Sequence, residues 1–374
     1  VGGQNTFDWA TLEPQEGQFN WSPLDAFIAA EAAQGKKAAF SITTYNGRIQ
    51  GGIVTPLWVY NPWYGGNAHA AIDAGNGWFI PRYWDEYYLE KYATFVRALA
   101  ERYDNDSRLA WVQIGVGLYG ETQPCDDQDD QFIKDAMFAD FGISENWQYA
   151  DRWIATVNTI TDIYADAFHN TPLFLMYAPS FTRACERLAT TDYAAGRGVG
   201  LFHAGLRPDA NGVIFTPASG QEGCGHYDPL IKWRGKVPLA FEADPHQFRN
   251  TVHTYWGILS GLDKHVDYLN LDYRLFRDEA TGQPIAENLA TFEFANRYLG
   301  RTITDTPSVW VALRDHRQPL EYEPGHFDDT WYPQWGNYSF WLYQDDNAPG
   351  AHTVTETSDA NVVYPTYNPW LLPT

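Results

Sequence analysis

The sequence predicts an α/β fold: a (β/α)8 barrel with a small β-rich C-terminal extension. Two observations predict it. From Trp9 to Leu299, short apolar runs alternate with longer helical segments, the signature of parallel strands joined by helical crossovers. Several of those runs are almost unbroken, as in LAWVQIGV (109–116) and PLFLMYA (172–178), which suits strands buried on both faces. From about Ser308 the pattern changes to the β-like segments SVWVALRD, NYSFWLYQ and AHTVTET. The expected division is therefore a barrel over 1–305 and an extension over 306–374.

In order, residues 1–10 read as a strand running into Trp9, followed by a turn-rich loop to Trp21. A helix over about Pro23–Gln34 places Leu24, Phe27, Ile28 and Ala32 on one face, with Ser22 or Asp25 as cap and Gly35 as stop. Ala38–Thr44 is the next strand. The loop Tyr45–Pro81 is long and carries Trp58, Trp63 and Trp78; such loops are functional or disordered, and the aromatics argue against disorder. Tyr83–Tyr103 is an amphipathic helix whose Tyr87, Tyr88, Tyr92, Phe95, Val96 and Leu99 face a core.

The strand Leu109–Val116 then breaks into Gly117-Leu118-Tyr119-Gly120 and delivers Glu121 at its C-terminal end. Cys125–Asp130 (CDDQDD) reads as a solvated acidic loop, since its spacing is not that of a calcium-binding loop. A helix over 146–169 and strands Pro172–Ala178 and Val199–Leu206 follow. The glycines of 211–225 lack phosphate-loop spacing and read as turns. Val237–Pro245 repeats the earlier design, an apolar strand ending in Glu242. A helix around His246–Gly261, the strand Val266–Tyr273 and a helix near Pro284–Leu299 complete the barrel part.

Composition narrows the function. The formal net charge is −22, which excludes polyanionic nucleic acid and anionic membrane surfaces as partners and suits a neutral one. Aromatics are 16% of the chain, enough to fill a large core and also to stack on the apolar faces of sugar rings. No apolar run approaches the roughly 20 residues needed to cross a bilayer, so membrane insertion is not expected. There is no signal peptide, and the first residue is Val, so a processed or trimmed chain is expected. Of Cys125, Cys185 and Cys224, the latter two pair if the compartment is oxidising. The scarcity of lysine suits an extracellular or cell-surface location. No HxH or HExxH motif occurs, so neither a metal nor another cofactor is expected. Oligomeric state is not encoded legibly.

The phrase FDWATLEPQEGQFNW, with Trp9, Leu12, Glu13, Pro14, Glu16, Gly17, Phe19 and Trp21, resembles the early barrel region of retaining glycoside hydrolases of clan GH-A. It is most similar to the family 42 β-galactosidase group. There the phrase follows the second strand, which implies that this chain lacks the first and explains the count of seven. In that register Glu121 ends strand 4 and Glu242 ends strand 7. The resemblance implies that Glu121 is the general acid/base and Glu242 the nucleophile, on a carbohydrate substrate. Gly120 departs from the clan, where Asn often stands and contacts the sugar 2-hydroxyl.

Retaining hydrolysis needs one carboxylate to attack the anomeric carbon and a carboxylic acid to protonate the leaving oxygen. A single Glu at a strand end equally caps a helix or holds an Arg; two at these ends point to catalysis. Trp9, Tyr45, Asn46, Arg48, Tyr119, Tyr177, His203, Asp272 and Tyr273, with His226, are the candidate substrate contacts. Glu13 and Glu16 read as structural. Two alternatives stay open: a catalytically silent carbohydrate-binding or cell-surface barrel, and a metal-dependent hydrolase on the same fold.

Overall fold

The computed structural model describes residues 2–47, 54–75, 77–178, 180–183, 185–206, 227–243, 248, 251–263, 266–300, 342–343 and 354–355. The chain begins with strand β1 (Gln4–Asp8), the single-turn helix α1 (Trp9–Leu12), helix α2 (Ser22–Ala33) and strand β2 (Ala38–Thr43). The long loop after β2 holds a short helix, α3 (Leu57–Tyr60), and a hairpin of β3 (Ala71–Asp73) and β4 (Phe79–Pro81). Then come α4 (Glu86–Tyr103), β5 (Leu109–Ile114), α5 (Asp130–Phe141), α6 (Asn146–Ala165), β6 (Leu173–Tyr177), α7 (Glu186–Gly196) and β7 (Gly200–Ala204). Helix α8 (Asp228–Trp233), β8 (Leu239–Ala243), α9 (Thr251–Asp263), β9 (Tyr268–Leu271) and α10 (Ala286–Tyr298) follow.

The main sheet has seven strands in the order β1-β2-β5-β6-β7-β8-β9, so strands adjacent in the sheet follow one another along the chain. Every pair with a described register is parallel. This is the strand–helix progression of a (β/α)8 barrel, with the seven strands read from the sequence. The chain divides into two compact units, residues 1–202 with 214–229, and residues 203–213 with 230–374; the boundary falls inside β7.

Within the first unit, side chains alternate between a helix-facing apolar face and a polar face. Phe7 lies on the first and meets Phe27 of α2. Gln4, Thr6 and Asp8 lie on the second, in register with Ala39, Ser41 and Thr43 of β2. There Gln4 Nε2 donates to Gln113 Oε1 of β5 (3.0 Å), and the hydroxyls of Thr6 and Ser41 bond at 2.6 Å.

Trp9 anchors the core of this unit. It is fully buried among Trp58, Tyr88, Tyr92 and Phe95, with ring centroids 5.0 to 6.0 Å away. Its Nε1 donates to Glu13 Oε2 (2.8 Å), Gly17 N donates to Glu13 Oε1 (2.8 Å), and Trp58 Nε1 donates to the Glu13 carbonyl (3.0 Å). Burial pushes the Glu13 pKa up, and the bonds from Trp9 and Gly17 pull against that. Glu13 is structural, as expected. Trp9 is core, which corrects its expectation as a substrate contact.

Helices α1, α3, α5, α7 and α8 and the β3–β4 hairpin were not expected from the sequence. Helix α7 buries Glu186, Arg187, Thr190, Thr191, Ala194 and Ala195, so it has no apolar stripe to betray it. Helix α5 begins inside the acidic run, and α8 is only six residues long. The acidic run is not a solvated loop throughout. Asp129 is buried and accepts from the Tyr45 hydroxyl (3.3 Å), and Asp130 is raised to about 6, mainly by burial. Among the described residues no cluster of His, Cys, Asp or Glu is arranged to hold a metal ion.

Cys185 is disulfide-bonded and Cys125 is free and buried; Cys224 lies outside the described residues. Among the described residues no helix is long and apolar enough to cross a membrane. Of the expected extension, 306–374, only the antiparallel pair β10 (Leu342–Tyr343) and β11 (Val354–Thr355) is described.

Trp9→Ala should cost about 3–5 kcal/mol of unfolding free energy, because it empties a closed aromatic cluster and strands the Glu13 carboxylate. Urea denaturation followed by tryptophan fluorescence measures it; a loss below 1 kcal/mol would contradict the core role.

Candidate active site

Strand β5 ends at Ile114, and Glu121 stands seven residues later, not at the strand end itself. The intervening chain is a tight fold-back. Gly117 N donates to the Glu121 carbonyl (2.8 Å), Gly120 N to that of Gly117 (3.0 Å), and Glu121 N to that of Leu118 (2.9 Å). Tyr119 (φ +55°) and Gly120 (φ +84°) both occupy the left-handed region, as the two central residues of a type I′ turn do. Tyr119 is the one non-glycine residue with positive φ among the described residues, and such strain concentrates at functional sites.

Three glycines make this path possible. A Cβ at Gly115 would lie 2.2 Å from the Ile42 carbonyl oxygen and 2.6 Å from the Tyr92 hydroxyl, and one at Gly117 would lie 2.1 Å from the Gln123 carbonyl oxygen. At Gly120 it would meet the Ile42 carbonyl oxygen at 3.0 Å and Gln113 Nε2 at 3.3 Å, on top of the positive φ. A side chain at 120 is therefore crowded by β2 and strained by the positive φ, which disfavours a carboxamide at this position. The downstream side is held as firmly. Thr122 N donates to Met176 O (3.1 Å), Thr122 Oγ1 accepts from Ala178 N (3.1 Å), and the Thr122 carbonyl accepts from Trp153 Nε1 (2.7 Å). Glu121 itself is partly exposed between these fixed neighbours. The Tyr119 phenol is raised by burial first, then by the carboxylates of Asp126 and Glu121.

A second carboxylate of this unit escaped sequence reasoning. Asp8 ends β1 on the polar face, in register with Thr43. It is partly buried, and its pKa is raised by burial and held back by a hydrogen bond from the Asn46 side chain. Asn46 Oδ1 in turn accepts from Thr43 Oγ1 (2.8 Å). The FDW phrase hid Asp8 because its neighbours fix attention on the loop that follows; its even spacing from Gln4 and Thr6 was the available signal.

The remaining candidates of the first unit separate cleanly. Asn46 lies with Asp8 on the accessible polar face. Tyr45 is fully buried with its hydroxyl on Asp129, and Tyr177 is fully buried in β6, so neither is a surface for substrate. Both were read as contacts because they flank strand ends, where one residue of two faces the helices. Arg48 and His226 lie outside the described residues.

In the second unit, Glu242 is the penultimate residue of β8 and partly exposed. Its carbonyl accepts from Leu206 N (2.7 Å). It pairs in parallel register with Asn270 of β9, which places a carboxamide beside it on the same face. His203 packs edge-on against Phe241 (centroids 5.7 Å), so it sits on the opposite face of β8 from Glu242 and is 6% exposed. Asp272 caps a 3-10 turn and pairs with Arg274 (2.9 and 3.0 Å), while Tyr273 is 70% exposed.

Residues 4–168 match the model of glycoside hydrolase family 42, described as β-galactosidase. The matched segment is less than half of the chain. It runs from β1 through α6 and so contains Asp8, Asn46 and Glu121; Glu242 lies beyond it. Among solved structures the chain is similar to the catalytic domain of a β-amylase from Paenibacillus polymyxa, at 11% identity and TM-score 0.52, over 81% of this chain and 91% of that one. That likeness shows the barrel fold. β-Galactosidases from Marinomonas ef1 and Halorubrum lacusprofundi align at 13% identity, with TM-scores of 0.48 and 0.46, over 79% and 83% of this chain. The chain spans 55% of the length of each. No curated protein matches the sequence.

Gly120→Asn should lower stability by about 1–2 kcal/mol without raising turnover, because strained backbone and the Ile42 carbonyl both oppose the side chain. Thermal unfolding and kcat/KM on an aryl glycoside check it; a gain in kcat/KM at unchanged Tm would overturn the steric account.

Proposed function

We propose that the protein cleaves a neutral oligo- or polysaccharide, β-galactoside-like at the cleaved unit, by a two-glutamate double displacement. Glu242 attacks the anomeric carbon while Glu121 gives its proton to the leaving oxygen. Glu121 then takes a proton from the water that releases the sugar from Glu242. Asp8 and Asn46, and Asn270 in the other unit, are the hydroxyl-binding groups of this reading. The observation that carries it is the rigid mount of Glu121, locked on both sides by backbone hydrogen bonds, within the segment that matches family 42. A general acid gains from such fixation because the proton must be delivered along one line.

The barrel portion is taken as residues 1–305, with 306–374 as a separate β-rich piece. The disulfide at Cys185 supports an extracellular or cell-surface location, where thiols stay oxidised.

Glu242→Gln and Glu121→Gln should each lower kcat on a matched aryl glycoside by at least 10³-fold, while Glu121→Gln keeps more activity on substrates with good leaving groups. Added azide should rescue Glu242→Gln with a product of inverted configuration. Full rates in both variants would refute the assignment, and an inactive wild type on the whole aryl-glycoside panel would favour a carbohydrate-binding barrel.

A further inference from the structure

The loop between β2 and α4 carries, midway, an exposed aromatic pair that no part of the proposed reaction uses. Trp63 is 94% exposed and Tyr64 is 65% exposed. Isolated surface apolar residues need no explanation, but two large adjacent rings left in water on a fixed support do.

The support is rigid. Trp58, Val59 and Tyr60 of α3 are buried beneath the pair, and Tyr60 donates its hydroxyl to the Thr55 carbonyl (3.3 Å). Asn61 Oδ1 accepts from Trp63 N (2.9 Å), while the Asn61 carbonyl accepts from Tyr64 N (2.9 Å) and Gly66 N (3.1 Å). Asn67 N closes the turn onto Val59 O (2.9 Å). Gly65 has φ +86°, and a Cβ on Gly66 would lie 2.3 Å from the Trp58 carbonyl oxygen. The rings are exposed because the backbone holds them out.

The chemistry of the surroundings selects the occupant. From Ile49 to Ala68 the sequence has no Asp, Glu, Lys, Arg or His, in a protein of net charge −22. Aromatic faces flanked by carboxamides match a neutral pyranose, whose C–H face stacks while its hydroxyls take hydrogen bonds. An ionic partner would find no counter-charge in this stretch. The loop leaves the C-terminal end of β2, and its first residues are bonded to the Glu121 loop: Tyr119 N donates to Tyr45 O (2.9 Å), and Tyr45 bridges to Leu118.

We propose that Trp63 and Tyr64 form a stacking platform for a pyranose unit of a neutral glycan chain, so that the ligand is a polymer or long oligosaccharide and not a single glycoside. The link to catalysis rests on the glycosidase reading; the binding itself does not.

The test is affinity electrophoresis of the full chain in native gels containing β-1,4-galactan, mixed-linkage β-glucan or amylose. Wild type should be retarded by at least one polymer. Trp63→Ala/Tyr64→Ala should bind that polymer at least tenfold more weakly at an unchanged thermal midpoint, and Glu121→Gln should be retarded like wild type. Equal retardation of the double variant, or no retardation of wild type by any polymer, overturns the platform. So does a dimer in sedimentation that the double variant dissolves, which would make the face a contact between copies. Retardation without hydrolysis of any aryl glycoside sinks the hydrolase reading and leaves the platform standing; hydrolysis without retardation does the reverse.

Discussion

The contact between the Ile42 carbonyl and the glycines after β5 is the constraint on which the site depends. At Gly115 and Gly120 the chain passes so close to β2 that a methyl group meets that oxygen at 2.2 and 3.0 Å. The same segment is clamped from the helix side, where the Tyr92 hydroxyl donates to Gly115 O (2.8 Å) and meets that of Tyr164 at 2.8 Å. A chain confined from both sides has one path, and Glu121 sits where that path emerges. Its backbone position is set by that close packing.

The same logic accounts for the closed aromatic cluster of the first unit. Trp9, Trp58, Tyr88, Tyr92 and Phe95 form a wall behind β1 and β2, and Glu13 satisfies the indole N–H that such a wall would otherwise bury without a partner. The loop that starts at Tyr45 is built on that wall. It keeps Trp58 inside and holds Trp63 outside, although both stand in one uncharged stretch. Position on the turn, not residue type, decides which tryptophan packs and which meets solvent.

The fold was legible because strands such as β6 are nearly unbroken apolar runs and the longer helices carry clear stripes, as Tyr88, Tyr92, Phe95 and Leu99 do on α4. What escaped was polar where it is buried: α7 with Thr190 and Thr191 inside, and α5 starting amid aspartates. Glu121, Glu242 and Asn46 stood out in the sequence as polar groups at or after the ends of apolar strands. Tyr45, Tyr177 and His203 were misjudged because proximity to a strand end does not reveal which face a side chain takes. Asn270 became visible only through register, which a sequence does not print, and register gave Asp8 its neighbours. Gly120, which looked like a missing carboxamide, suits the positive φ and the close approach of the Ile42 carbonyl.

The stereochemistry of the first product tests the two-glutamate displacement most directly. Proton NMR of an aryl β-glycoside digest, recorded within the first minutes before mutarotation, reads the anomeric signal of the released sugar. The double displacement predicts that the β-anomer appears first and the α-anomer grows in later. An α-anomer appearing first would contradict it, and would mean that water, not Glu242, attacks the anomeric carbon.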